Sequence, residues 1–215
     1  VNNNTATCSA TVTVQDLVAP VAVCQNVTVE LNASGTGSTM GAAVNNGSSD
    51  ACGIQSLSLS QTTFNCANVG SNTVTLTVTD VNNNTATCSA TVTVQDLVVP
   101  VAVCQNVTVQ LDNTGNGSTT AAAVNNGSSD ACGIQTLSLS QTAFTCANIA
   151  TNPNTVTLTV TDVNNNTATC TATVTVQDLV APVAACQNVT VQLNALGTAS
   201  TTAAAVNNGS SDACG

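Results

Sequence analysis

TVTLTVTDVNNNTATCSATVTVQD, residues 73–96, consists of two stretches of strict alternation joined by a polar knot. On the near side Val74, Leu76 and Val78 alternate with threonines. On the far side Cys88, Ala90, Val92 and Val94 fall on one face. A period of two is that of a pleated strand with one buried face, and valine and threonine suit such a surface. The knot, Asp80-Val81-Asn82-Asn83-Asn84, reads as a hairpin turn. Such a turn needs one or two residues at positive φ, a conformation that Asn tolerates best after glycine. NVTVEL (26–31) and QSLSLSQ (55–61) alternate in the same way, and no segment carries a helical stripe. About seven short strands in some 80 residues, separated by Asn, Gly and Ser clusters, predict an all-β fold, a β-sandwich of immunoglobulin-like type.

The same pattern returns along the chain. VNNNTATC begins at Val1, Val81 and Val163. Cys8, Cys88 and Cys170 recur at a step of about 80 residues, and so do Cys24, Cys104 and Cys186, and Cys52, Cys132 and Cys214. In each set the second step is longer than the first by two. The two extra positions fall in ANIATNPNTVTL (147–158), against ANVGSNTVTL (67–76). Residues 17–96 and 97–178 then align end to end with fifteen substitutions. A period this long is one small domain per repeat. The expected organisation is a repeat tail at 1–16, complete repeats at 17–96 and 97–178, and the N-terminal part of a further repeat at 179–215. We read this as a section of a longer tandem array.

Composition narrows the function. The chain has no Lys, Arg or His against ten Asp and Glu, a net charge of −10. Nucleic acids need cations to displace their counterions, and anionic membrane surfaces attract basic segments, so neither is an expected partner. No apolar run approaches a membrane span, so membrane insertion is not expected. The chain also lacks Tyr and Trp, which removes the usual general bases, oxyanion clamps and phosphate binders, and Ser and Thr have no base to activate them. An enzyme is not expected, and no catalytic residue is assigned.

With 43% hydrophobic residues but only Phe64 and Phe144 aromatic, the core must be built of Val, Leu, Ile and Ala. A domain of about 80 residues with such side chains is marginal alone. Four cysteines per repeat, with no Cys-x-x-Cys pair and no His, read as disulfides formed outside the cytoplasm and not as zinc ligands. Four cysteines allow three pairings. The favoured one joins Cys24 to Cys88, first strand to last, and Cys52 to Cys66 around GIQSLSLSQTTFN. By repetition Cys104 pairs with Cys170 and Cys132 with Cys146. Cys8, Cys186 and Cys214 are then left unpaired, their partners lying outside the window. A rival bond across the repeat boundary, Cys88 to Cys104, requires the chain to double back. The chain-entropy model gives roughly 3 kcal/mol for the short loop and about 4 for the long one.

Asp80, Asn82 and Asn84 have the oxygen spacing of half a calcium loop, but without the Gly and the distal Glu of an EF-hand. Asp96, at the repeat junction, could join a calcium site, and Asp162 and Asp178 are the equivalents of Asp80 and Asp96. The plainer readings are a turn capped by its own side chains and a solvated strand end. Eleven Asn-x-Ser/Thr triplets, Asn26, Asn46, Asn106 and Asn126 among them, offer glycan acceptor patterns. The junction QDLVAP (15–20) has no glycine, and short links containing proline restrict interdomain angles, which predicts a semi-rigid rod.

Several of these features together resemble the hyalin-repeat (HYR) domain, in the variant found in very long bacterial surface proteins. They are the Pro-x-x-x-Cys start (Pro20 to Cys24), Asp-x-Cys-Gly (Asp50 to Gly53), the TVTD strand and the Thr-x-Thr-Cys start of the last strand. The resemblance covers the chain repeat by repeat. It implies an immunoglobulin-like fold in extracellular tandem arrays associated with adhesion, as in adhesins and secreted proteins of Bacteroidota-type bacteria, often exported by the type IX route. The family usually has Gly in the hairpin tip, where Asn3, Asn83 and Asn165 stand here.

The expected function is a structural section of an extracellular fibre or adhesin stalk, secreted or on the cell surface. Its partners would be neighbouring repeats, or identical chains in a filament. Successive domains are expected to touch through the QDLVAP junction and the hairpin tips. The alternative is an adhesive module that binds a glycan or a protein through its loops, with LNASGTGSTMG (31–41) against LDNTGNGSTTA (111–121) as the variable segment. No cofactor is expected beyond the calcium reading.

Overall fold

The structure, a computed structural model, describes residues 2–215; Val1, the first residue of the expected 1–16 segment, lies outside them. The chain divides into two compact units, Val1–Val98 and Val99–Gly215. Each holds an immunoglobulin-like β-sandwich, and the two are built the same way.

In the first unit the strands are β1 (Val27–Glu30), β2 (Thr36–Ser38), β3 (Ile54–Leu59), β4 (Thr63–Asn65), β5 (Gly70–Asp80) and β6 (Thr85–Gln95). One sheet has the order β1-β6-β5-β3, and β2 pairs with β4 in a second. The β5–β6 hairpin is the spine, with antiparallel register from Gly70↔Val94 to Thr79↔Thr85. β1 lies parallel beside β6, Val27 against Val92, so the first and last strands of the repeat are neighbours. In the second unit β7 (Val107–Gln110), β8 (Asn116–Ser118), β9 (Ile134–Leu139), β10 (Ala143–Thr145), β11 (Asn154–Asp162) and β12 (Thr167–Gln177) repeat this plan. Each complete repeat thus has six named strands, not about seven. The extended chain around Val21 and Cys24 makes only isolated bridges, to Ser49 and Asn45, too few for a ladder.

Alternation puts Val74, Leu76 and Val78 of β5 and Ala90, Val92 and Val94 of β6 in the core, with threonines half-exposed on the other face. Phe64 and Phe144, the two aromatic residues, are buried between the sheets. The small sheet can come close because β2 and β8 carry glycine there. A Cβ on Gly37 would lie 2.5 Å from Val29 Cγ1, and one on Gly117 would lie 2.6 Å from Val109 Cγ1.

Single helical turns occur where none was expected: α1 (Gly41–Val44), α2 (Ala121–Val124) and α3 (Ala203–Val206). Segments this short cannot show a stripe. Each of the first two serves to bury one valine, Val44 or Val124. Thr120 caps α2, its Oγ1 accepting from Ala123 N–H at 3.2 Å.

The two-residue insertion is absorbed at the start of β11. In the first unit the backbone of Gly70 pairs with Val94. In the second, the Asn152 side chain takes that place, its amide donating to Val176 O at 2.6 Å and its carbonyl accepting from Val176 N–H at 2.8 Å.

The hairpin turn contains one left-handed residue, Asn83 at φ 69° (Asn165 at φ 70° in the second unit). Each turn is organised by the aspartate before it. Asp80 Oδ1 accepts from the N–H groups of Asn82 and Asn84, and Oδ2 from the Asn84 side-chain amide, all at 2.8 Å. Burial pushes the Asp80 carboxyl up, but the Asn84 side chain and the backbone N–H groups of Asn84, Asn82 and Asn83 outweigh it and hold the group below the usual aspartate range.

Two outcomes are expected. Replacing Asn83 by Val should cost about 1–2 kcal/mol in denaturant unfolding, the strain of a left-handed residue with a full side chain, whereas Asn83→Gly should be near neutral. A depressed carboxyl contributes stability that is present above its unfolded value, near pH 4, and is lost as pH falls through the folded value. Asp80→Asn should therefore melt several degrees below wild type at neutral pH, and the gap should close in melts recorded below about pH 4.

Candidate functional site, a disulfide between successive repeats

Cysteines at the two ends of the repeat form the most consequential arrangement. Cys24 and Cys88 are bonded with Cα atoms 5.9 Å apart, as are Cys104 and Cys170. Cys88 lies opposite Leu76 in the hairpin, so this bond fastens the start of the repeat to its spine.

The other two cysteines of a repeat do not meet. Cys52 is a free, exposed thiol, so the expected Cys52–Cys66 bond is absent. The expected Cys132–Cys146 bond is absent too, because Cys146 is bonded to Cys214, with Cα atoms 5.2 Å apart. Cys66 and Cys132 are likewise disulfide-bonded. Geometry explains the correction. Ile54, two positions after Cys52, pairs with Asp80 at the end of β5, whereas Cys66 sits in the turn that precedes Gly70 at its start. β5 has 11 residues, about 36 Å at 3.3 Å each. A disulfide spans only about 4.4–6.8 Å between Cα atoms. The loop between these cysteines is short in sequence but is itself mostly extended strand.

Cys214, expected to be unpaired, therefore joins the segment 179–215 to the repeat 97–178, both within the second unit. Cys8 and Cys186 are free and exposed. A bond across a repeat boundary does exist, but between other cysteines than the rejected Cys88–Cys104 pair.

Each half of this joint is shaped locally. Cys146 opens a 3-10 turn, Cys146–Asn148, held by the Asn148 side chain, which accepts from Thr145 N–H at 2.9 Å. Beside it Gly115, at φ 73°, leaves the room the bond needs: a Cβ there would lie 2.6 Å from Cys146 Sγ and 3.3 Å from Ala213 Cβ. Asp112 shapes that loop, accepting from Thr114 Oγ1 at 2.6 Å and from the N–H groups of Thr114 and Asn116. The Thr114 hydroxyl, with these N–H groups, holds the Asp112 carboxyl below its usual range. On the other side Asp212 Oδ1 accepts from Cys214 N–H at 2.8 Å. Asp50 does the same for Cys52 at 2.7 Å, so the SSDAC loop presents its cysteine in the same way whether bonded or free.

The residues read as calcium ligands are placed as follows. Asp80 and Asp162 are fully buried and spend their carboxylates on the hairpin turns, Asp162 accepting from Asn164, Asn166 and the Asn166 amide at 2.8 Å. Asn82 and Asn84 are donors to Asp80. Asp96 and Asp178 each accept an N–H two positions on, from Val98 and Val180. Of these residues the structure brings Asp178 into a group, with partners the sequence reading did not include. Asp178, Asp212 and Cys214 have potential ligand atoms within 4.8 Å of one another, as do Asp16, Asp50 and Cys52. The Cys214 sulfur is already in a disulfide. The hairpin tip and the end of the 1–16 segment do touch, the Asn84 amide donating to Asp16 O at 3.1 Å.

The carboxylates also act on Cys52. A hydrogen bond to Asp16 and the charge of that carboxylate push the thiol up from its ordinary value, with burial, Asp50 and Asp80 adding to the effect. Less thiolate means slower attack.

The variable loop 31–41 borders a shallow depression of about 380 Å³ lined by Asn32, Thr36, Gly37, Ser38, Thr63, Phe64 and Asn65. Phe64 is 2% exposed, so it offers no ring face for a sugar to stack on.

No family model matches the chain, and no curated protein matches it. Among solved structures, those similar to it include extracellular cadherin domains 1–4 of protocadherin gamma B7, at 13% identity, 74% of this chain, 51% of that chain and a TM-score of 0.32. The EC1-2 region of human protocadherin-24 is similar at 12% identity over 75% of this chain and 99% of that one, with a TM-score of 0.39. The titin domains I67–I69 are similar at 11% identity over 78% and 70%, with a TM-score of 0.31. The chain spans about half the length of the protocadherin gamma B7 chain and about a third of that of protocadherin gamma B4.

Alkylation timed by mass spectrometry at pH 8 should label Cys52 more slowly than Cys8 or Cys186, and Asp16→Asn should speed labelling of Cys52 several-fold. Equal rates in all three would remove the carboxylate effect.

Proposed function

We propose that this chain is a section of an extracellular stalk or fibre made of tandem HYR-like repeats, of the kind carried by bacterial surface proteins, in which each repeat is covalently fastened to the next. The observation that carries this reading is the Cys146–Cys214 bond, which ties a repeat to the segment that follows it in the array. A bond in that place adds nothing to a catalytic site or a ligand pocket. It adds cohesion between successive domains. Disulfides of this density belong to oxidising surroundings, which supports a secreted or cell-surface location. No helix among the described residues is long and apolar enough to cross a membrane.

The partners are then neighbouring repeats, or identical chains joined end to end. The uniformly negative side-chain charge disfavours side-by-side packing at low salt. The repeats act as rigid spacers, and the reading calls for no catalysis. The reading calls for no calcium at the hairpin turns, where Asp80 already accepts three hydrogen bonds from Asn82 and Asn84.

Three measurements on the full chain test this. Replacing Cys146 and Cys214 together by Ser should lower the unfolding free energy by about 4 kcal/mol, the chain-entropy value for a sequence separation of 68. Chelator should leave the melting temperature unchanged; a rise of several degrees in millimolar calcium would make the metal part of the stalk. Specific binding of one glycan on an array, abolished by exchanging loop 31–41 alone, would replace the stalk reading with the adhesive one.

A further inference from the structure

The Cys146–Cys214 bond sits among groups of one sign. The carboxylates of Asp178 and Asp212 and the sulfur of Cys214 lie within 4.8 Å of one another. The other sulfur, Cys146 Sγ, faces two carbonyl oxygens, Ala213 O at 3.4 Å and Gly115 O at 3.7 Å. No side chain of opposite charge offsets them, since the chain has no Lys, Arg or His. Both acids are held in place: Asp178 Oδ1 accepts from Val180 N–H at 2.9 Å, and Asp212 Oδ1 from Cys214 N–H at 2.8 Å. Cys104–Cys170, in the same unit, is different. All four cysteines of the two bonds are half-buried, but no acid pair is gathered at Cys104–Cys170 among the described residues. Asp16 and Asp50 hold the same places at the free thiol of Cys52, and a hydrogen bond to Asp16 with the charge of that carboxylate pushes the thiol up.

We propose that Asp178 and Asp212 guard this joint: their carboxylates slow its reductive opening by anionic thiols, and leave cationic thiols the easier attackers. This deepens the stalk reading and rests on it, because only a joint that bears on cohesion gains from such protection. Opening takes two steps. A small thiolate attacks one sulfur, a new S–S bond forms to it, and the other protein sulfur leaves as a thiolate. A second small thiolate attacks this mixed disulfide, the remaining protein sulfur leaves as a thiolate, and the reagent departs as its own disulfide. Two electrons thus pass from two small thiolates to the protein bond. Attack at Cys214 brings an anion up to two carboxylates. Attack at Cys146 makes Cys214 the leaving thiolate, whose charge develops beside the same carboxylates, and a leaving thiol of raised pKa departs more slowly. Both routes are therefore slowed, and the first more strongly the more negative the reagent. The acid pair at Cys52 shows that the arrangement is in place before any bond forms there.

The test is timed reduction of the folded full chain, its free thiols first blocked with iodoacetamide, by mercaptoacetate (anionic) or cysteamine (cationic) at low salt. Quenching with an isotopically distinct alkylating agent and mass spectrometry of pepsin peptides reads each bond. The quantity compared is the rate at Cys146–Cys214 divided by that at Cys104–Cys170 with the same reagent, which cancels the reagents' own reactivity. This ratio should be roughly three- to tenfold lower for mercaptoacetate than for cysteamine. The gap should close in molar salt. The Asp178→Asn/Asp212→Asn double variant keeps an acceptor oxygen for the Val180 and Cys214 N–H groups, and in it the two reagents should give nearly equal ratios. Equal ratios in wild type, or a gap that persists in the variant, would overturn the proposal. So would a variant that speeds both reagents alike, the mark of a merely structural role. The wild-type salt series needs no variant, so it still decides if the variant folds poorly. Glycan binding through loop 31–41 would sink the stalk reading while leaving these ratios untouched.

Discussion

The length of the β5–β6 hairpin constrains everything else in the repeat. It sets the height of the sandwich, supplies most of the core valines, and carries one cysteine near its middle. It also decides which cysteines can meet. Two of the four lie beyond its opposite ends, one beside the turn and one beside the entry to β5. With no route through the domain, Cys146 is satisfied by the SSDAC loop of the segment 179–215, within the second unit.

The core explains why such fastening is worthwhile. Valine, leucine and alanine pack well between two sheets, but a sandwich of about 80 residues with one phenylalanine in each complete repeat buries limited area. No cation is present to pair with the carboxylates, so the acids are used as acceptors for backbone N–H groups. Asp80, Asp112 and Asp212 each shape a loop in this way. A chain without Lys or Arg thereby turns its negative charge into turn geometry.

Much of this was legible in the residues. Alternation in 73–96 located the hairpin, and the Asn cluster located its positive-φ residue. The nearness of first and last strands indicated the Cys24–Cys88 bond. What misled was loop length. The short stretch between Cys52 and Cys66 looks like an easy ring to close. Yet QSLSLS alternates, and an extended strand inside the ring holds its ends apart. That signal was available and points to an inter-repeat bond. The one-turn helices were not legible, since a single turn carries no period. Nor was the need for Gly37, which comes from the approach of the second sheet.

The joint between Cys146 and Cys214 has a consequence for heredity. It is made from the turn at Cys146 in one repeat and the SSDAC loop near the head of the next, and both recur along the chain with few changes. Unequal recombination between such copies would add or remove a whole repeat. The new neighbours would then present the same turn to the same loop, with the cysteines in register. In the proposed array the number of repeats can therefore change without a new junction having to arise.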